Sequence, residues 1–96
     1  MNEMFVRLIT VKLYAPWVHT LKEKRAVVKS LCEKLRRRFN ASVAESGRQD
    51  THQTAVITVA YLAGDAAAAD KTQEAIVRFI ENSTDAQIAG ISTEER

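Results

Sequence analysis

Residues 4–39 read MFVRLITVKLYAPWVHTLKEKRAVVKSLCEKLRRRF, and the way this stretch divides decides the fold. Its opening, Met4 to Tyr14, is rich in β-branched and aromatic side chains, which marks a strand. Phe5, Ile9, Val11 and Leu13 alternate with Met4, Val6 and Leu8, so both faces are apolar, as in a strand at the centre of a sheet. That double apolarity leaves open which alternate set meets the core. Pro16 ends the strand, because it cannot donate to a ladder and biases Ala15 toward extended backbone. Thr20 then stands three residues before Glu23, the spacing at which a capping box satisfies the free N–H groups of a helix start. Beyond it Leu21, Val28, Leu31, Cys32, Leu35 and Phe39 recur at helical spacing, with Val27 at the edge of their face.

Outward from this stretch the elements are shorter. Ala41 to Ser46 alternates weakly and suits an edge strand, and Gly47-Arg48-Gln49-Asp50 is turn chemistry. Thr54 to Ala63, TAVITVAYLA, is the second buried strand. Asp65 caps a helix from Ala66 to about Glu81, with Ala68, Thr72, Ala75, Ile76, Phe79 and Ile80 expected inward. Asn82 to Asp85 is a loop, Ala86 to Ile91 a last weak strand, and Ser92 to Arg96 a polar tail. The order β-α-β-β-α-β over residues 1–96 predicts a single α+β domain of the ferredoxin-like type. Right-handed crossovers put both helices on one face of a four-stranded antiparallel sheet and leave the other face open. The first and third strands then lie in the middle, and they are the most apolar.

Composition excludes several classes. At 96 residues and 10.7 kDa the chain suits one domain with a thin core. Hydrophobic residues at 46% and charged residues at 27% exclude wholesale disorder. No apolar run approaches the roughly 18 residues of a membrane span, so no membrane is expected as partner. The start, MNEMFVR, carries an acid and no small-residue cleavage site, unlike a signal peptide. Cys32 is the sole cysteine and lies on the apolar helix face, which predicts a core residue in a reducing cytoplasm.

Chemistry-bearing sets are scarce. His19 and His52 have no metal-ligand spacing, Glu45 and Asp50 read as ordinary surface carboxylates flanking a turn, and Gly47, Gly64 and Gly90 are scattered. An acylphosphatase needs an arginine in a Gly-rich loop after the first strand, and that loop is here Ala15 to Thr20. No catalytic residue, metal site or cofactor is expected, and the chain reads as a non-enzyme.

Charge is more informative. Net charge is +2, yet residues 22–38 hold Lys22, Lys24, Arg25, Lys29, Lys34, Arg36, Arg37 and Arg38 against Glu23 and Glu33. With Leu21 at 0° and ~100° per residue, Arg25, Arg36, Lys29 and Lys22 fall near 40°, 60°, 80° and 100°, a stripe beside the apolar face. Lys22, Lys24 and Arg25 also crowd the helix start, where the dipole disfavours cations by about 0.3–1 kcal/mol each. A bound anion reverses that sign, because free N–H groups and cations then act together. Trp17 and His19 stand near this end. Trp17 either closes the core or offers a flat surface for stacking a base. Arg36-Arg37-Arg38 sits at the helix end that favours cations anyway, so the run has a structural explanation too.

Thr20-Leu21-Lys22-Glu23-Lys24-Arg25, Lys29-Ser30-Leu31 and Leu35 to Glu45, with Asp50 and Gln53 after them, resemble the signature of the YlxP-like family of small bacterial proteins. The likeness covers about residues 4–82, with Thr20 where the family usually has serine and Ala41 where it has valine; the second helix's start and the residues from Asp85 match poorly. The resemblance implies a ferredoxin-like domain without an established activity. The family's genes often stand beside those for translation initiation and ribosome maturation factors, which leans toward RNA or a ribosomal subunit as partner. The expected interface is Lys22, Lys24, Arg25, Lys29 and Arg36, with Arg37, Arg38, Arg48, Trp17 and His19 in support. The alternative is a structural or regulatory module that forms a homodimer, or a higher homo-oligomer, through the open sheet face.

Overall fold

A computed structural model describes residues 3–48 and 51–96. The elements run β1 (Phe5–Tyr14), α1 (Leu21–Arg38), β2 (Ser42–Gly47), β3 (Thr54–Ala63), α2 (Ala66–Ser83) and β4 (Gln87–Glu95). The sheet order is β2-β3-β1-β4 with every pair antiparallel, the ferredoxin-like arrangement. Gln49 and Asp50 of the expected turn lie outside the described residues.

Strand parity organises the core. β1 and β3 pair along their whole length, from Phe5 opposite Ala63 to Tyr14 opposite Thr54. Ile9, Val11 and Leu13 of β1 and Ala55, Ile57, Val59, Tyr61 and Ala63 of β3 are buried beneath the helices. Val6, Leu8, Val56 and Ala60 are only half-buried and lie on the open face. The odd set is therefore the core set.

The helices begin where their caps stand. Glu23 N–H donates to Thr20 Oγ1 at 3.1 Å, and Ala68 N–H donates to Asp65 Oδ1 at 2.7 Å. Val28, Leu31, Cys32 and Leu35 of α1 pack on the sheet, with Phe39 half-buried. On α2 the buried residues are Ala69, Ile76 and Ile80. Ala68, expected inward, is exposed in the capped first turn, and its neighbour Ala69 takes the inner place. The Tyr61 hydroxyl donates to the Ala69 carbonyl at 2.6 Å, which fixes that turn against β3. Phe39 and Phe79 meet edge to face at 5.7 Å and close one end of the helical layer.

The expected polar tail from residue 92 is instead strand. Ser92, Thr93, Glu94 and Glu95 pair with Thr10, Ile9, Leu8 and Arg7. Val6 and Arg96 exchange backbone hydrogen bonds at 2.6 and 2.8 Å. Apolar content does not explain this, since the segment is polar and exposed. Beside the backbone ladder, side chains tie it in: Gln73 Nε2 donates to Thr93 Oγ1 at 3.1 Å, and Arg7, 4% exposed on the core-facing row, needs acceptors. It donates to Glu95 Oε1 at 2.6 Å, Asp70 Oδ1 at 2.9 Å and Gln73 Oε1 at 2.9 Å, so β4 and α2 are tied to β1 by one cation. The hydrogen bond to Asp70 raises the Arg7 pKa further, against the effect of burial. Among the described residues no helix is long and apolar enough to cross a membrane.

Burial pushes the Cys32 thiol above its ordinary pKa, with nearby Arg36 opposing the shift. The folded chain thus holds this proton at a pH where the unfolded chain releases it. The thiol's contribution is intact below the unfolded value, about 8.5, and fades as pH rises beyond it, at no more than about 1.4 kcal/mol per pH unit. Urea unfolding at pH 7.5, 8.5 and 9.5 is expected to show this decline in the wild type and a shallower one in Cys32→Ala. Equal slopes would place the thiol in water.

Candidate nucleic-acid interface

α1 places its cations on different sides. Lys22, Arg25 and Lys29 are exposed, and none has an acidic partner within 4 Å among the described residues. At ~100° per residue they form one stripe running away from the capped N-terminus. Arg36 extends it to about 21 Å at ~1.5 Å per residue. Its Nη2 donates to the Val43 carbonyl, so one end of that guanidinium is bound to β2 while the side chain stays exposed. The stripe thus borders the β2 edge of the sheet.

Lys24 does not belong to it. It is 3% exposed, and its Nζ donates to the carbonyls of Arg48 and Thr51, the latter at 2.7 Å. The Glu45 carboxylate lies 3.1 Å from the same Nζ as a charge pair, without the angle of a hydrogen bond. This ammonium therefore holds the β2–β3 connection against the start of α1. Gln53 completes the joint: its Nε2 donates to the Pro16 carbonyl at 3.2 Å, and its own carbonyl accepts from Ala15 N–H at 2.8 Å.

Other expected members are dispersed. Trp17 is 41% exposed and does not close the core; Val18, 1% exposed, does. The indole borders a cleft of about 360 Å³ with Val27, Leu31, Ser83, Thr84 and Asp85, on the α2 side of α1 and so across the helix from the stripe. His19 is exposed just ahead of the cap. Arg37 is exposed too, but it follows Arg36 directly and is therefore turned more than a quarter of the way round the helix, off the stripe. Arg38 lies over the Phe39 ring at 5.4 Å and faces the α2 side. Arg48 points to the other face of the sheet, where it lines a shallow cleft with Lys12 and Gly90. The stripe proper is Lys22, Arg25, Lys29 and Arg36. No group of three metal-ligating side chains occurs among the described residues.

Several positions that carry the family resemblance now have structural duties. Thr20 and Glu23 cap α1, and Lys24, Glu45 and Gln53 lock the loop; Asp50 lies outside the described residues. Lys22, Arg25 and Lys29 make no ion pair among the described residues.

Residues 6–93 match the model of the family described as "Protein of unknown function (DUF503)". The chain is 33% identical over 63 residues to "Uncharacterized protein YlxP" of Bacillus subtilis (strain 168), covering 66% of this chain and 68% of that protein. Among solved structures it resembles the "De novo designed protein Foldit4" with a TM-score of 0.54 at 17% identity, over 98% of this chain and 97% of that one, a likeness of fold alone.

The two neighbouring lysines separate structure from interface. Lys24→Ala leaves Glu45 and two carbonyls without their cation and is expected to cost roughly 3 kcal/mol in urea unfolding. Lys22→Ala removes a cation from a helix start and is expected to be neutral or to gain up to about 0.5 kcal/mol. Equal effects would mean that Lys24 is no more buried than Lys22.

Proposed function

The chain belongs to the DUF503 family, and from that premise we propose that it is a non-enzymatic, RNA- or ribosome-associated protein that grips phosphates through the outer stripe of α1. One observation carries the reading. Lys22, Arg25 and Lys29 stand exposed with no acidic partner within 4 Å among the described residues, and Lys22 lies in the first turn of a helix whose dipole opposes it. Folding gains nothing from that arrangement. A polyanion does, because each phosphate meets a cation and the helix field together.

Co-sedimentation with separated ribosomal subunits across a salt series tests this. Three or four neutralised phosphates give log affinity a slope of about −2 to −4 against log salt. A Lys22→Glu, Arg25→Glu, Lys29→Glu variant that remains folded is expected to lose the association. Binding that ignores both salt and the variant would end the proposal.

A second reading is favoured by the apolar end of the open face. Leu62 is 67% exposed there, opposite Val6 and beside Leu8 and Ala60 on the same face. A second copy seated on this end would cover it. Light scattering at micromolar concentration is then expected to show a dimer for the wild type and a monomer for Leu62→Lys. A wild-type monomer would remove this reading.

A further inference from the structure

We infer that the open sheet face carries a second phosphate-binding surface, a trough across the strands that takes an unpaired, single-stranded segment of nucleic acid. The inference rests on the α1 reading and extends it to the opposite face. In register across the sheet stand Gly47, Val56, Lys12 and Gly90. Glycines end the row on both edges. A Cβ at Gly90 would meet nothing within 4 Å, so the space above it is open. Beside Gly90 lies a shallow cleft of about 380 Å³, lined by Lys12, Arg48, Thr10 and Ser92 together with apolar Val56 and Ile91, and by no acid. Both cations are exposed and neither has an acidic partner within 4 Å among the described residues. Tyr14, 40% exposed, follows Lys12 by two residues and so shares its face. Exposed cations and an exposed ring on one face match a single strand, whose bases are free to stack while its phosphates are neutralised. A duplex keeps its bases stacked on one another and gains nothing from the ring.

Arg48 connects the two surfaces. It closes β2 with φ of 60°, a conformation that costs any residue but glycine and is tolerated by asparagine. Lys24 holds this backbone through the Arg48 carbonyl, and the guanidinium itself has no ion pair among the described residues. The residue stands at the sheet edge, between the start of α1 and the trough. A strand leaving the α1 stripe reaches Lys12 by rounding that edge.

Fluorescence anisotropy with a labelled oligouridylate of about 12 nucleotides, and with a duplex of the same length, tests the trough. The Lys12→Gln, Arg48→Asn double variant suits it, because both side chains are exposed and asparagine accepts the positive φ. Its single-strand affinity is expected to fall about 10-fold and its salt slope to shrink by about 1.4, with duplex affinity unchanged. Tyr14→Leu is expected to weaken only the single strand, by about 10-fold. The α1 triple variant is expected to weaken both oligonucleotides. If it does so while the double variant keeps the wild-type constant and slope, the trough is refuted and the α1 reading stands. If the wild type binds neither oligonucleotide, both readings fall. If sedimentation shows a dimer that the double variant splits, a second copy owns this face and the trough is again refuted.

Discussion

Only one side of this sheet is covered, so the fold depends on which alternate residues of β1 face the helices. Once Ile9, Val11 and Leu13 turn inward, Arg7 must turn inward with them, because side chains alternate strictly along a strand. An inward cation needs acceptors at the core boundary, and the chain supplies them from α2 and the end of β4. The same necessity acts on α1. Lys24 lies on the helical face shared by Leu31 and Leu35, and it is accommodated because the β2–β3 connection brings carbonyls and Glu45 to it. Two buried cations thus bind together segments whose own apolar content is too low to order them.

This explains what could be read from the chain and what could not. The element order, both caps and the two central strands follow from local periodicities, which sequence displays directly. Thr20 and Asp65 cap where their spacing says they should. Periodicity is silent on a strand with two apolar faces, so Arg7 goes unremarked although it shares the parity of Ile9. The strand formed by residues 92–95 is invisible for a related reason: its cause is a partner some eighty positions away. Lys24 is different, because its position was available. Counted by charge it joins the cationic cluster, whereas counted by helical angle it falls between Leu31 and Leu35, in the middle of the buried face. Trp17 and Arg48 sit in connections, where no period governs direction.

The division of cations on α1 also shapes the field around the molecule. Arg7, Lys24 and Arg96 hold the ion pairs among the described residues, and two of those three are buried. Acids are drawn to Arg7 at the α2 and β4 side, while Lys22, Arg25 and Lys29 keep their full charge toward the β2 side. A chain with net charge of only +2 is therefore strongly polarised. Such a field orients a charged partner during approach and is damped by salt over about 10 Å.

The strand order also has a consequence for how the chain comes into being. β1 leaves the ribosome before the strands it pairs with, yet it is a central strand flanked by β3 and β4. One neighbour arrives about fifty residues later and the other only with residues 87–95. Until β3 emerges β1 presents an apolar strand with two unsatisfied edges, and Arg7 waits longer still for Glu95. Non-local pairing of this kind defers the folded state until β4 has emerged, which slows folding relative to a chain of local contacts.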